Sequence, residues 1–202
     1  MAKVTPVFKS GLNSNLNNYR PISVLPVFSK VLEKCIYNRL LNFLEKCNII
    51  NENQFGFRTG HSTSSALVEF LFKTLNALEN KEIMIGLFLD LSKAFDSLDH
   101  SILLQKLYLY GIRGTLWQWF KSYLSNRKQF VSYDNVESHQ LTVKCGVPQG
   151  SILGPLLFIL YINDICNVSQ MLELILFADD TSVFMSHKDA NFFLQNTIYF
   201  RI

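Results

Sequence analysis

The sequence predicts an α+β fold, and three observations support that prediction. Apolar residues recur at helical spacing in several segments. Other segments alternate apolar and polar residues and come in pairs joined by short connections. The helical and the alternating segments follow no regular βαβ order. With 202 residues, of which 49% are hydrophobic and 17 are phenylalanine, the chain has enough apolar material for a buried core.

Composition and charge narrow the class of protein. The net charge of +3 is compatible with a nucleic-acid partner without demonstrating one. The four cysteines form no C-x-x-C pair and have no histidine at zinc-finger spacing, so we expect buried free thiols in a reducing compartment, with no zinc and no disulfide partner. The longest apolar run, 152–162, is shorter than the about 20 residues of a membrane span, and no signal peptide is visible. We expect an intracellular protein of the cytoplasm, the nucleus or both, with no membrane partner.

The first half of the chain predicts extended segments, two helices and a strand. Prolines interrupt the N-terminal residues, and an amphipathic pattern follows in which charged residues, Glu33 among them, are assigned to the solvent face. The predicted elements are extended segments over 1–27, a helix over 28–46, a loop over 54–60, a helix over 62–78 and a strand over 83–90.

The second half predicts three helices and two hairpins. Gly111 is a suitable residue to end the first of these helices. The predicted elements are helices over 101–110 and 116–124, a hairpin of 129–133 and 140–145 around a polar connection, an apolar helix over 151–165, and a hairpin of 172–178 and 181–186.

Two adjacent aspartates stand at the tip of the last hairpin. Asp179 and Asp180 lie between an apolar run and a β-branched one, and removing a carboxylate from water costs several kcal/mol unless something compensates it. Asp90 ends the predicted strand over 83–90. If the two strands are neighbours in one sheet, three carboxylates converge within reach of two cations about 3.5–4 Å apart, and Mg²⁺ prefers such oxygen ligands. The alternative is a turn that uses two aspartates because aspartate favours turns.

A passage rich in glycine and proline, 146–155, precedes the most apolar helix. Its glycines let a flat ligand approach the main chain, and Gln149 stands between Pro148 and Gly150. The start of the following helix favours an anion. The alternative is an ordinary loop with a helix N-cap at Ser151.

An aromatic residue and three cations complete the set of candidates. Phe95 lies five residues after Asp90, in the turn after the strand, so its ring could lie over the same pocket and exclude a sugar 2′-hydroxyl. The alternative is a phenylalanine of the core. Arg20 lies in proline-fixed geometry that suits triphosphate oxygens. For Arg20, Lys9 and Arg58 the alternative is a solvated surface cation.

In this order, the segments resemble the reverse transcriptases of non-LTR (LINE-like) retrotransposons. The resemblance implies a right-hand polymerase palm, which is an antiparallel sheet backed by helices, with partial fingers. The combination of motifs is specific, whereas no single motif is. The matching segments are Lys9 with 18–23, 54–58 with 61–63, 88–96, 146–158 and 177–180.

The resemblance also implies an activity and a set of site residues. The activity is RNA-directed DNA synthesis, in which a primer 3′-hydroxyl attacks the α-phosphorus of a dNTP, so the partners are an RNA template, a DNA primer and a dNTP. Phe95 would be the gate that favours deoxynucleotides. The catalytic residues would be Asp90, Asp179 and Asp180. The site would bind two Mg²⁺ ions, for which Mn²⁺ can substitute, and their ligands would be Asp90, Leu91, Asp179 and Asp180. The nucleotide-binding residues would be Lys9, Arg20, Arg58, Phe95, Gln149 and Gly150.

The resemblance divides the chain into partial fingers with palm-entry helices over 1–80 and a palm core over 81–202. No thumb is expected, because residues 196–202 do not resemble the family's continuation. Two other hypotheses stay open. One is an inactive remnant that folds and at most binds nucleic acid. The other is a phosphoryl-transfer enzyme of another class, such as a nuclease, that uses the same acids; the glycine-rich loop and Phe95 argue against it.

Overall fold

The computed structural model describes residues 1–195, with the backbone alone for Leu194 and Gln195, so the predicted absence of a thumb over 196–202 lies outside the described residues. The chain forms two compact units, each built from two separate stretches. One contains residues 1–50 and 93–162, and the other contains residues 51–92 and the stretch from Asn163 onward. The assignment of fingers and palm to 1–80 and 81–202 stays a prediction.

The described residues contain eight strands and six α-helices. The strands are β1 (Ala2–Phe8), β2 (Tyr19–Val24), β3 (Ile83–Asp90), β4 (Lys128–Tyr133), β5 (Val136–Glu137), β6 (Leu141–Thr142), β7 (Glu173–Phe177) and β8 (Asp180–His187). The helices are α1 (Val27–Lys46), α2 (Thr63–Glu79), α3 (His100–Leu109), α4 (Gly114–Leu124), α5 (Gly154–Ile162) and α6 (Ala190–Gln195). The α+β prediction is confirmed.

The first unit combines a five-stranded sheet with a helical core. Strand β1 pairs antiparallel with β2 and parallel with β4, and β4 pairs antiparallel with both β5 and β6. Seven of the nine residues of α5 are buried, because this helix is apolar on every side. Residues of α1, α3 and α4 pack in the same core, among them Leu44, Leu107, Phe120 and Leu124.

The second unit is built around a three-stranded antiparallel sheet in the order β3-β8-β7. Leu174, Leu176 and Val183 form its buried cluster. Helix α2 packs against β3 and β7. On α2, Phe70 lies with its ring centroid 5.2 Å from that of Phe184. Strand β8 is the central strand because it pairs with β3 on one side and with β7 on the other.

Two predicted boundaries and one predicted face were wrong. The β4 hairpin turns at Asp134 and Asn135, whose φ angles of 50° and 62° allow a two-residue turn, so the first connection is shorter than predicted. The predicted pairing of 129–133 with 140–145 is confirmed where β6 pairs with the start of β4. The apolar helix begins at Gly154, whose N–H donates to Ser151 Oγ at 2.9 Å. Glu33 is buried in the interior and does not face solvent.

The expected burial of the thiols is also wrong. Cys35, Cys47 and Cys145 are exposed, and Cys166 is half-buried.

The described helices were also compared with the requirements of a membrane span. Among residues 1–195, no helix is both long and apolar enough to cross a bilayer.

Candidate active site

The acidic end of the three-stranded sheet is set by strand register. Strands β7 and β8 are joined by Ala178 and Asp179, and Phe177 pairs with Asp180. Strand β3 runs antiparallel to β8 over its whole length, so its last residue, Asp90, pairs with Asp180. The predicted condition that the two acid-bearing strands are neighbours is therefore met.

The three aspartates differ in position and in exposure. Asp90 and Asp180 are opposite each other and exposed, whereas Asp179 occupies the second position of the turn and is half-buried. The argument that burial makes the pair Asp179 and Asp180 require a cation is therefore wrong for Asp180, which reaches solvent at the end of its strand, and Asp179 is only half-buried. The cost that remains is repulsion between like charges placed directly opposite in a sheet.

The donor set fits a hard divalent cation. In the part of the chain that the structure describes, no lysine or arginine pairs with Asp90 or Asp180, so their repulsion is not offset by a protein cation. Carboxylate oxygens are the ligands that Mg²⁺ prefers. Within residues 1–195, however, no three His, Cys, Asp or Glu side chains stand together as a formed metal site. The predicted roles of Asp90, Leu91, Asp179 and Asp180 as metal ligands therefore stay predictions, supported by the carboxylates of Asp90 and Asp180 that lie opposite each other.

The glycine-rich loop of the first unit is bound to the segment that follows β3. Val147 donates its N–H to Phe95 O at 2.8 Å, and Gly146 donates its N–H to Leu98 O at 2.7 Å. A ring nitrogen of His100 lies 2.7 Å from Gly146 O. The loop is therefore anchored before it reaches Gln149.

Gln149 is fixed through both its backbone and its side chain. Its carbonyl oxygen accepts the Ser23 N–H at 2.7 Å, and its side-chain amide donates to Asp96 Oδ2 at 2.9 Å. The next residue, Gly150, has a φ of +102°, and a Cβ there would lie 3.0 Å from Ser23 O. The glycine at position 150 therefore has a structural cause, since the loop approaches β2 closely. Nucleotide binding by Gln149 and Gly150 stays a prediction.

Phe95 lies in a short 3₁₀ turn, Ala94–Asp96, where it is half-buried. Its ring centroid is 4.8 Å from that of Phe158 on α5, and it packs against the main core. This packing supports the core alternative for most of the ring. The gate role stays a prediction for the part that remains exposed.

The three candidate cations lie in two different settings. Lys9 and Arg20 are exposed and belong to the β1–β2 hairpin, in which Lys9 N–H donates to Asn18 O at 2.8 Å and Val7 pairs with Arg20. In the second unit, Arg58 Nη1 donates to Asn51 O at 3.0 Å and Gln54 O at 3.1 Å. Arg58 thus stabilises its own loop, and its nucleotide contact stays a prediction.

The acidic hairpin receives support from α2 through an ion pair. Lys73 Nζ on α2 lies 2.5 Å from Glu173 Oε2 on β7. Burial alone would lower the pKa of Lys73, but the hydrogen bond and charge of Glu173, together with Glu69, outweigh burial and raise it. The lysine therefore stays charged and holds the helix to the start of the hairpin.

Sequence reasoning missed four residues that hold these segments in place. They are Glu33, Gln54, Gly56 and Asp96. The Glu33 carboxylate accepts the Ile152 N–H at 2.7 Å and so fixes the end of the glycine-rich loop. Gln54 and Gly56 contact the turn before Asp179. The only sequence signal for Gln54 and Gly56 was the match of 54–58 to a known motif, and that match does not say which residues they contact.

Comparison with solved structures shows the class of fold. A telomerase of Candida tropicalis bound to the TWJ fragment of telomeric RNA superposes with a TM-score of 0.69 over 98% of this chain and 38% of its own, at 14% identity. An apo telomerase from the same organism, truncated from the C-terminal domain, gives a TM-score of 0.64 over 98% of this chain and 46% of its own, at 15% identity. The antiparallel sheet with acids at its hairpin is thus a polymerase palm-like fold.

Sequence comparison then shows the family. The model of the family described as "Reverse transcriptase (RNA-dependent DNA polymerase)" matches residues 7–199, and the chain belongs to this family. The RNA-directed DNA polymerase from mobile element jockey of Drosophila melanogaster is 35% identical over 93% of this chain and 21% of its own length. The probable RNA-directed DNA polymerase from transposon X-element of the same fly is 41% identical over 82% of this chain and 19% of its own length. The resemblance to non-LTR retrotransposon enzymes is confirmed, and the chain spans about a fifth of the length of these relatives.

Proposed function

We propose that this chain carries the nucleotidyl-transfer centre of an RNA-directed DNA polymerase. The observation that supports the proposal most directly is the strand register, which pairs Asp90 with Asp180 next to Asp179 in the turn. The family match, which covers residues 7–199, supports it as well. Polymerases of this kind use divalent metal ions. Two Mg²⁺ ions, for which Mn²⁺ can substitute, would lower the pKa of the attacking 3′-hydroxyl and stabilise the developing charge on the phosphates.

The chain's own residues have separate tasks in this proposal. Asp90, Asp179 and Asp180, with Leu91, would hold the metal ions. Gln149 would contact the incoming dNTP from a loop that its side-chain bond to Asp96 holds in place. The remaining nucleotide contacts are Lys9, Arg20, Arg58 and Gly150, with Phe95 as the gate against a 2′-hydroxyl.

The proposed partners are an RNA template, a DNA primer and a dNTP. The relatives are RNA-directed DNA polymerases by name, and one structural neighbour is a telomerase in complex with an RNA fragment. The exposed cations Lys9 and Arg20 are suited to phosphate oxygens. We further propose an intracellular site of action in the cytoplasm or nucleus, where these templates occur.

The test is extension of a labelled DNA primer on an RNA template with Mg²⁺ and dNTPs. Asp179→Asn and Asp90→Asn should each reduce extension below about 1% of wild type, because each removes a charge that the metal ions need. The matched control is Asp134→Asn in the exposed β4–β5 turn, where asparagine tolerates the positive φ, and its rate should equal wild type.

Binding of the same RNA distinguishes the polymerase from the inactive remnant. Both active-site variants should keep the wild-type affinity for the template, since they alter chemistry and leave the basic residues unchanged. Undiminished extension by Asp179→Asn would reject the assignment. RNA binding by the wild type without extension under Mg²⁺ or Mn²⁺ would favour the inactive remnant.

A further inference from the structure

The loop before α2 lies along strand β7, next to the acidic turn. Leu176 donates its N–H to Asn53 O at 2.8 Å, and Phe55 donates its N–H to Leu176 O at 2.8 Å. Gln54 accordingly pairs with Leu176 as an isolated parallel bridge. This loop acts as a short additional strand beside the hairpin, which brings its side chains within reach of the turn.

The Gln54 side chain extends from this loop to the turn. It is 1% exposed, and its Oε1 accepts the Gly56 N–H at 2.8 Å and the Ala178 N–H at 3.1 Å. Ala178 immediately precedes Asp179 and has a φ of +58°. Residues with a Cβ rarely adopt this conformation because the Cβ crowds the backbone. The bond from Ala178 to Gln54 therefore stabilises a turn that alanine would otherwise avoid.

Gly56 makes this approach possible. A Cβ at position 56 would lie 2.2 Å from Ala178 N and 2.9 Å from Ala178 Cα, which no real contact allows. Glycine is thus required for the loop to come close enough for Gln54 to reach the turn.

The oxygen of the Gln54 side-chain amide makes the contacts described above, whereas its nitrogen does not. Its Nε2 is buried and has no hydrogen-bond partner among the described residues. The buried hydroxyl of Thr181, which follows Asp180, is also without a partner in residues 1–195. The contribution of Gln54 to the turn therefore comes from its oxygen, which accepts the N–H groups of Gly56 and Ala178.

We propose that Gln54 is a positioning residue for the acidic hairpin. By accepting the Ala178 N–H it holds that residue in the left-handed conformation, and the direction of Asp179 follows from it. Gln54 touches no reacting atom and acts only through the backbone of Ala178. The inference rests on the proposed function of the aspartates in nucleotidyl transfer.

The first test compares Gln54→Met with Gln54→Met/Ala178→Gly in primer extension. Methionine keeps the length of the side chain and removes the acceptor, so kcat should fall at least about tenfold while KM for the dNTP stays within about twofold. Glycine adopts a φ of +58° unaided, so the second substitution should recover most of kcat. The matched control, Gln118→Met on the exposed face of α4, should leave both parameters unchanged.

The second test does not need activity. Hydrogen exchange at the Ala178 amide should become at least about tenfold faster in Gln54→Met, while exchange along β3 stays as in the wild type. If the wild type fails to extend the primer, the proposed function is wrong, yet this measurement still decides the role of Gln54. Unchanged kcat together with unchanged exchange overturns the proposal. If Gln54→Met does not fold, recovery of folding and extension in the double variant supports the proposal, and failure to recover overturns it.

Discussion

At the scale of single residues, two glycines show what a missing Cβ achieves in this chain. Gly146 and Gly114 both have positive φ angles, +81° and +61°. A Cβ on Gly146 would lie 2.7 Å from the Cα and carbonyl oxygen of Asp96, whereas a Cβ on Gly114 would meet nothing within 4 Å. Gly146 is therefore needed for the contact between the glycine-rich loop and the turn after β3, and Gly114 only for its backbone conformation.

The first stability prediction compares alanine at these two positions. Gly114→Ala should cost about 1–2 kcal/mol of unfolding free energy, which is the penalty for a Cβ in the left-handed region. Gly146→Ala should cost this amount and a further about 1–3 kcal/mol, because backbone must move to admit the Cβ. Urea unfolding followed by circular dichroism measures both values. Equal losses in the two variants would contradict the close approach at Asp96.

At the scale of elements, Glu33 ties two helices to the glycine-rich loop. It lies on α1 and is 2% exposed. Its Oε1 accepts the hydroxyl of Tyr123 on α4 at 2.9 Å, and its Oε2 accepts the Ile152 N–H at 2.7 Å. Both carboxylate oxygens are thus used, which is what allows a charged residue to stay in the interior. Burial first, and the Glu33 charge second, raise the pKa of Tyr123 well above its usual value.

The second stability prediction concerns Tyr123→Phe and its dependence on pH. At pH 7 the variant should lose about 1–3 kcal/mol, because Glu33 Oε1 is left buried without its donor. Above about pH 10 the unfolded wild-type chain loses the Tyr123 proton while the folded chain keeps it, so unfolding becomes easier with rising pH. Phenylalanine has no such proton, so the difference between the two proteins should shrink. Urea midpoints between pH 7 and pH 11 measure this difference in stability, and a Tyr133→Phe variant, in which the replaced tyrosine is exposed, is the control. A difference that stays constant with pH would contradict the raised pKa of Tyr123.

At the scale of the whole molecule, the regular elements were predictable because their apolar patterns are long and uninterrupted. The strand predicted over 83–90 is observed as Ile83–Asp90, and the helix predicted over 28–46 is observed as Val27–Lys46. The meeting of Asp90 with the paired aspartates could be predicted only on the condition that their strands are neighbours, and the observed register meets this condition.

What could not be predicted depends on contacts between residues far apart in the chain. A helical pattern places every glutamate on the solvent face, so nothing local distinguishes Glu33, whose partners lie on α4 and before α5. Likewise, the motif containing Gln54 indicates a family but not the bond to Ala178, because a parallel bridge between distant segments leaves no periodic signal. The residues that hold the site in place were therefore found only in the structure.

The last prediction tests the chain at the length of its relatives. Because it spans 21% of the jockey polymerase and is 35% identical to it over 195 residues, residues 7–199 can replace the matching segment of that enzyme. If the nucleotidyl-transfer centre lies within this segment, the chimera should extend a primer on RNA within about tenfold of the parent, since buried apolar positions tolerate conservative exchange. Asp179→Asn in the chimera should abolish extension while leaving RNA binding intact. A chimera that is soluble and binds RNA but never extends the primer would show that these aspartates no longer support catalysis.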